Sequence, residues 1–336
     1  MSNSAFGIDL GTSSIKIYNR SDDTILVEKN MIAIENKNNL FAYGDSAFEM
    51  YEKAPANIHI SYPLSNGVIA DIKNMELLIK YFINDLTRSN LKAADYYIAV
   101  PTDVTEVEKR AFYDLIRDAG VKARRIMVVE KAVADGLGLD IDVKNSQGVL
   151  IVNVGFDTTE ISILSLGGIV LSRLIKVGGQ KFDDAIRAAV RREFSLIIGG
   201  KTAENVKIAL CELEKSGAGA VVYGRDIVTG LPVERELPTQ LIDDSLTEHF
   251  YTIIDNIKVI LERTPPELAA DIYRHGIYLT GGASQVNHLA ELMQKGTGLK
   301  VNVSENPTTS VALGISKIIK DTNYKSVAYS IEGMSK

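Results

Sequence analysis

The chain has 336 residues, of which 46% are hydrophobic and 24% are charged, and its formal net charge is −6. This length favours two lobes over one core, and the acidic balance argues against general nucleic-acid binding. A single cysteine and four histidines, none closely spaced, exclude an intramolecular disulfide and disfavour a transition-metal site. No signal peptide or bilayer-spanning apolar run is evident, so we expect a cytoplasmic protein.

Two segments of the sequence share one outline. The first, AFGIDLGTSSIKIYNR from Ala5, has an apolar strand, a glycine turn and a strand with period-two alternation. The second, LIVNVGFDTTEISILS from Leu150, repeats this outline, with Asn153-Val154-Gly155 lying 144 residues after Asp9-Leu10-Gly11. A unit used twice predicts two related lobes whose hairpins face a common cleft.

Hydrophobic periodicity predicts the remaining elements in chain order. In the first half we expect strands near residues 24–27, 31–35, 40–43, 96–101 and 126–129, and helices over 75–86 and 105–120. In the second half we expect helices over 178–194, 202–215 and 306–320, strands within 220–237, and a long amphipathic helix that stops before Pro265-Pro266. A strand, a glycine turn and a helix follow from residue 275, and the polar tail from Asp321 is expected to be loose.

Three turns have the character of phosphate or nucleoside sites. Gly11–Ser14 and Gly155–Thr159 each follow a strand and combine backbone N–H groups with hydroxyls that can hold an anion. Asp9, just before the first turn, is suited to a hydrated Mg²⁺. At Thr280–Ser284 we expect a strand to meet a helix N-terminus, where backbone donors and the helix dipole favour a phosphate.

The segments IDLGTSS, VGFDTTEISILSLGGIV and GIYLTGGAS resemble the two phosphate motifs and the adenosine motif of the actin-like ATPases. Within that superfamily the chain is similar to the MreB family of bacterial actins, from about Phe6 to Lys320. The resemblance implies an α/β, actin-like fold with duplicated ribonuclease H-like lobes and four subdomains around a nucleotide cleft. It also implies ATP or ADP with Mg²⁺ as ligand, and head-to-tail filaments that serve cell shape or motility.

The resemblance divides the chain into four subdomains. The expected bounds are 1–30, 76–145 and 310–336 for lobe IA, 31–75 for lobe IB, 146–181 and 246–309 for lobe IIA, and 182–245 for lobe IIB.

Site residues carry over position by position from the resemblance. The first loop is Gly11, Thr12, Ser13 and Ser14, with Asp9 orienting the waters of the metal; the second loop is Gly155, Phe156, Asp157, Thr158 and Thr159; the adenosine turn is Gly281, Gly282, Ala283 and Ser284. Glu204 and Lys207 match residues that flank the nucleoside, although an exposed helical face would explain them as well. Lys16 either reaches the phosphates or is a strand side chain that faces solvent.

Four departures from the family pattern affect the metal and hydrolytic side. The family's second loop reads Asp-Ile-Gly-Gly-Gly-Thr-Thr-Glu, whereas here Asn153 replaces the metal-side Asp, and Phe156 and Asp157 replace two glycines. Lys131 replaces the Glu that positions the attacking water in the family. An ammonium cannot accept a hydrogen bond from that water, and loss of such a group costs typically ~10²–10⁴ in rate.

We therefore expect ATP hydrolysis to be slow or impaired. Lys131 and Asp157 are predicted to form an ion pair; alternatively, Lys131 bonds the γ-phosphate and Asp157 points to solvent. In a competing hypothesis the chain is a competent ATPase in which Glu130 positions the water and Thr158 helps to orient it. A small-molecule kinase of the same superfamily is disfavoured because no additional segment offers a sugar site.

The expected partners are other copies of the chain and other MreB-like paralogues. Members of the family bind membrane through an N-terminal amphipathic helix or an apolar loop in lobe IA. Here the first is not expected, and the loop candidate, residues 87–95, offers one leucine, Leu91, beside Lys92. We therefore expect weak or indirect contact with the inner face of the cell membrane near Leu91, and no nucleic-acid partner.

Overall fold

The structure, a computed structural model, describes residues 4–90 and 92–332. The chain divides into two compact units. Unit 1 contains the described residues up to Ile151, then Ser162–Leu174 and the described residues from Thr308 onward. Unit 2 contains Val152–Ile161 and Ile175–Pro307.

Short strands dominate the first part of the chain. They and one short helix are β1 (Ala5–Leu10), β2 (Ser14–Asn19), β3 (Thr24–Lys29), β4 (Ile32–Glu35), β5 (Asn39–Tyr43), α1 (Asp45–Met50), β6 (Ile58–Ser61), β7 (Leu64–Ser65) and β8 (Val68–Ile69). The predicted strands are confirmed, whereas α1, β6, β7 and β8 were not predicted. The hairpin of β1 and β2 is antiparallel and pairs Asp9 with Lys16.

Helices and strands then alternate, as the periodicity predicts. The elements are α2 (Ile72–Leu86), β9 (Ala94–Val100), α3 (Glu106–Asp118), β10 (Ala123–Glu130) and α4 (Lys131–Gly138). The apolar stripe of α2 is buried. A capping box between Thr105 and Glu108 starts α3, and Gly120, with φ +73, follows its end in the left-handed region.

The second hairpin and the helices that follow it make up most of the next segment. Its elements are β11 (Val149–Val154), β12 (Thr159–Ser165), β13 (Gly168–Ile175), α5 (Gly179–Phe194), β14 (Leu196–Ile197), α6 (Gly200–Ser216), β15 (Ala220–Asp226), β16 (Pro232–Leu237) and α7 (Thr239–Glu262). The long amphipathic helix α7 buries one apolar face and ends before Pro265, as predicted. In unit 2, Phe250 of α7 packs edge-on against Phe182 of α5 at a ring distance of 5.4 Å.

The remaining elements complete both units. They are α8 (Pro266–His275), β17 (Ile277–Thr280), a 3₁₀ helix (Gly282–Gln285), α9 (Leu289–Thr297), β18 (Val301–Val303), α10 (Ser310–Lys320), a second 3₁₀ helix (Thr322–Val327) and β19 (Ala328–Tyr329). Helix α8 was not predicted. Pro266 is compatible with this helix because proline fits the first turn, where its missing N–H is not needed.

The sheets place both hairpins centrally. A six-stranded sheet has the order β19-β10-β9-β1-β2-β3, and a five-stranded sheet has the order β13-β12-β11-β17-β18. Strands β9 and β10 run parallel to β1 in the first sheet. Its core buries large side chains such as Phe6, Tyr96 and Phe112. Because parallel strands end at the same edge, the turn after β1 and the end of β10 lie at one edge of this sheet.

The expectation of a loose tail after Asp321 is wrong. Strand β19 pairs antiparallel with β10, with Ala328 opposite Val129. Ile331 is 6% exposed and joins the core of unit 1. The apolar side chains within this polar segment are sufficient to hold it on the edge of the sheet.

Candidate functional site

The first candidate phosphate loop is the turn between β1 and β2. Asp9 and Lys16 face each other across the hairpin and are only 3% and 9% exposed. The Lys16 Nζ lies 3.5 Å from Asp9 Oδ2 and donates a 3.2 Å hydrogen bond to the Ser14 carbonyl. The alternative in which Lys16 is a solvent-facing strand residue is therefore wrong, and its ammonium lies at the base of the loop.

Asn30, just after β3, braces this loop and was missed by the sequence reasoning. Its backbone N–H donates to the Ser13 carbonyl at 3.0 Å, and its Nδ2 donates to the Gly11 carbonyl at 3.0 Å. Asn30 is fully buried. Its proximity to the loop depends on the register between β2 and β3, which no local pattern encodes.

Lys16 and Lys29 place ammonium groups beside the first loop. Burial lowers the pKa of the Lys16 ammonium, and charge repulsion from Lys131 and Lys29 adds to this effect, whereas the Asp9 carboxylate opposes it. Lys29 also places its Nζ 3.5 Å from the Ser13 hydroxyl. Lys131 therefore acts electrostatically on Lys16 at the first loop.

Glu130 and Lys131 lie at the junction of β10 and α4. One carboxylate oxygen of Glu130 accepts hydrogen bonds from Lys109 Nζ at 3.0 Å and from the Tyr329 hydroxyl at 2.6 Å. Burial and the bond to Glu130 raise the pKa of Tyr329 to about 12. The tail strand β19 thus fixes the residue directly before Lys131.

The second candidate loop, between β11 and β12, is closed by its own backbone. The Gly155 N–H donates to the Thr158 carbonyl at 2.8 Å. Thr159 is fully buried and its hydroxyl donates to the Val177 carbonyl at 2.8 Å. Asp157 is 8% exposed, so the turn carries a largely buried carboxylate.

The N-terminus of α5 holds the second loop from outside. The Gly179 N–H donates to the Gly155 carbonyl at 3.0 Å, and the Gln180 N–H donates to the Phe156 carbonyl at 2.8 Å. A β-carbon on Gly178 would lie 2.6 Å from the Gly155 carbonyl oxygen, closer than such atoms approach. This support was also missed, although a double glycine before an amphipathic helix was a visible signal.

Lys207 lies on α6 and reaches the same region of unit 2. Its Nζ is 2.7 Å from Asp183 Oδ1, and both residues are less than 10% exposed. It also donates to the Gly179 carbonyl at 3.3 Å. Burial raises the pKa of Asp183 to about 6, against the opposing charge of Lys207. The exposed-face alternative is wrong for Lys207, while Glu204, on the same helix, is partly buried.

The predicted adenosine turn lies beside the second loop within unit 2. Gly281 has φ +90, and a β-carbon there would lie 2.3 Å from the Val154 carbonyl oxygen and 2.7 Å from Asn153 Oδ1. The Ser284 hydroxyl donates to the Gly281 carbonyl at 2.7 Å. Both the positive φ and the close approach require glycine at this position.

The expected α-helix N-terminus at this turn is wrong. The turn continues into the 3₁₀ helix, which has only four residues, Gly282–Gln285. Helix α9 begins later, after His288, whose φ of +66 redirects the chain. A single 3₁₀ turn carries little dipole, so backbone and hydroxyl groups, rather than a helix dipole, are the polar features of this turn.

Asp9, just before the first loop, offers an oxygen ligand of the kind that Mg²⁺ prefers. Asp9 Oδ1 is buried and, within residues 4–90 and 92–332, has no hydrogen-bond partner, while Oδ2 faces Lys16. A carboxylate oxygen of this kind suits a magnesium ion or one of its waters. Asn153, in the second hairpin, offers an amide oxygen without charge. Asp9 therefore fits a hydrated divalent cation.

The proposed membrane contact cannot be placed, because Leu91 lies outside the described residues. Across the described ranges, none of the helices combines the length and the apolarity needed to cross a bilayer.

The fold and the paired glycine hairpins define an actin-like α/β protein. A model of the MreB/Mbl protein family matches residues 3–327. Mbl of Bacillus subtilis, a cell shape-determining protein, is 36% identical over 312 residues, which cover 92% of this chain and 93% of Mbl. The chain belongs to the MreB/Mbl family.

Solved structures agree with this assignment. MreB5 of Spiroplasma citri, solved with ADP and with AMPPNP, superposes with a TM-score of 0.89 at 33% identity, covering 97% of this chain and 98% of MreB5. MamK, solved as a double helical filament, superposes with a TM-score of 0.78 at 21% identity, covering 95% and 99% of the two chains. The likeness to MamK shows the fold alone.

Proposed function

We propose that this chain is an ATP-binding, filament-forming bacterial actin that hydrolyses ATP slowly. Its relative MreB5 is solved with ADP and with AMPPNP, and the loops that the sequence assigns to phosphates have the required glycines, hydroxyls and backbone donors. The proposal of slow hydrolysis is based on Lys131. It is an ammonium beside the first loop, where the family has a carboxylate.

The chemical argument concerns the attacking water. A carboxylate accepts a hydrogen bond from that water and polarises it, whereas an ammonium only donates. Lys131 can stabilise phosphate oxygens, but it cannot serve as the general base. We keep the prediction that Asp157, which adds a carboxylate to the second loop, is neutralised by Lys131.

Mg²⁺, when bound, would neutralise phosphate charge and orient the phosphate chain. Asp9 would hold one of its waters through Oδ1. Asn153 would act similarly through its amide oxygen, but with one negative charge fewer than the family's Asp. The first hairpin therefore supplies most of the protein's charge toward the metal.

The competing hypothesis assigns the water to Glu130. Its Oε1 already accepts hydrogen bonds from Lys109 and Tyr329, and the first of these is also an ion pair of 3.0 Å. A carboxylate oxygen that already accepts two hydrogen bonds is less available to accept one from a water. These contacts favour a structural role for Glu130 and support the slow-hydrolysis proposal.

We further propose that the chain polymerises with itself. Its family includes cell shape-determining proteins, and MamK, of the same fold, forms a double helical filament. In this proposal nucleotide acts as a structural ligand and slow timer of a cytoplasmic filament. Assembly beside MreB-like paralogues, and a weak contact with the membrane along the filament, extend the same proposal.

Sedimentation tests the proposal directly. The protein is incubated with ATP, ADP or AMPPNP, pelleted at high speed, and phosphate release is measured in the same samples. We expect pelleting that depends on nucleotide, with ATP and AMPPNP giving similar filaments because little ATP is hydrolysed. Rapid phosphate release would contradict slow hydrolysis, and pelleting that ignores nucleotide would contradict the nucleotide-controlled filament.

A further inference from the structure

Lys16 has a position that the alternation of strand β2 does not by itself explain. Period-two alternation only puts a residue on one face of a strand, whereas Lys16 is 9% exposed with its Nζ directed at a carboxylate and a carbonyl. A β-carbon on Gly11 would lie 3.1 Å from that Nζ. The ammonium therefore occupies the inner side of the loop assigned to phosphate.

Burying a lysine is costly, so the surroundings must favour its charge. Asp9 is the carboxylate that does so, at 3.5 Å. Lys131 and Lys29 oppose it by charge repulsion. Lys16 and Lys29 thus place two ammonium groups at the first loop. An arriving polyphosphate would supply negative charge beside these ammonium groups.

The two oxygens of Asp9 have different surroundings. Oδ2 faces Lys16, while Oδ1 is buried and has no hydrogen-bond partner in the described part of the chain. The carboxylate can thus keep Lys16 on one oxygen and hold a water of a divalent cation on the other. Without the cation, the lysine remains as the counter-charge at the same carboxylate.

We propose that Lys16 is an internal counter-ion of the first phosphate loop that performs part of the charge neutralisation otherwise supplied by Mg²⁺, so that nucleotide binding depends only weakly on the metal. The inference rests on the proposed nucleotide site. It assigns a regulatory property, tolerance of metal loss, to one lysine. The ligand is a nucleoside di- or triphosphate, with or without its divalent cation.

Calorimetry of ADP binding tests this inference without relying on hydrolysis. Full-length protein, clarified of filaments, is titrated with ADP in excess Mg²⁺ and again in excess EDTA. For the wild type we expect the affinity to fall by less than about tenfold when the metal is removed. For Lys16→Met we expect a further loss in EDTA of about ten- to hundredfold, the factor for one charge-assisted hydrogen bond.

Two further variants isolate the charge. Lys16→Arg keeps the cation and should retain the weak dependence on metal. Lys325→Met removes an exposed lysine of the tail and should behave as wild type. Circular dichroism shows whether Lys16→Met folds, and the wild-type and Lys16→Arg ratios remain informative if it does not.

The outcomes separate the inference from the proposed function. The inference is overturned if the ratio of ADP affinity in Mg²⁺ to that in EDTA is the same for wild type and Lys16→Met. It is also overturned if the wild type loses more than about a hundredfold in affinity when the metal is removed, because binding would then depend strongly on the metal. Nucleotide binding with Mg²⁺ remains intact in both cases. Failure of the wild type to bind ADP even with Mg²⁺ overturns the proposed function and the inference with it.

Discussion

The two glycine hairpins differ in what holds them. The first is braced by side chains as well as by the backbone bond from Asn30 to Ser13: the Asn30 amide donates to the Gly11 carbonyl, and Asp9 and Lys16 face each other at its base. Backbone amides at the start of α5 brace the second, by donating to the carbonyls of Gly155 and Phe156. Backbone bonds require no particular side chain, so the second loop keeps its outline with Phe156 and Asp157 in it.

This difference shows where each loop can change. In the first, a side-chain substitution alters both charge and bracing, because the same groups do both. In the second, Asp157 alters charge while the turn is held independently. The second loop can therefore carry a carboxylate without loss of its shape.

We expect the largest effect on stability at the ion pair of Asp183 and Lys207, which lies beside the second loop's support in α5. Asp183→Asn leaves the buried ammonium of Lys207 without its carboxylate, which should cost about 3–5 kcal/mol. Urea unfolding measures this. Asp184→Asn, which removes an exposed i,i+3 pair with Arg187, is the control and should cost less than about 1 kcal/mol. A cost for Asp183→Asn no larger than the control would refute the bracing role.

A smaller effect is expected where α5 contacts the second loop. The β-carbon of Gly178→Ala would approach the Gly155 carbonyl oxygen to 2.6 Å, so the two backbones must separate at a cost of about 1–3 kcal/mol. ADP affinity should fall in parallel, because the loop moves. Gly168→Ala meets only Ser165 O at 3.9 Å and serves as control. Unchanged stability and ADP affinity would show that the contact between Gly178 and the Gly155 carbonyl is not important for the loop.

The smallest effect should come from the first loop's brace. Asn30→Ala removes the 3.0 Å bond to the Gly11 carbonyl and should cost about 1–2 kcal/mol. Asn57→Ala, which removes an exposed bond of 3.3 Å to Glu35, is the matched control. If Asn30→Ala leaves both stability and ADP affinity unchanged, side-chain bracing of the first loop is not important.

Sequence reasoning predicted the hairpins because strand alternation and glycine turns are local signals. It could not predict that Lys16 faces Asp9 or that Asn30 reaches Gly11, since both depend on pairing between strands. The start of α9 was misplaced because His288 adopts a left-handed conformation that its residue type does not require. Tail strand β19 was missed because its contacts, such as the hydrogen bond from Tyr329 to Glu130, are made with residues that are remote in sequence.

The central claim is that Lys131 limits hydrolysis. Phosphate release by Lys131→Glu, measured beside ADP affinity, tests it most directly, because the substitution restores the family's carboxylate at one position. We predict a rise of about 10²-fold or more with ADP affinity retained. An unchanged or lower rate with intact binding would contradict the account.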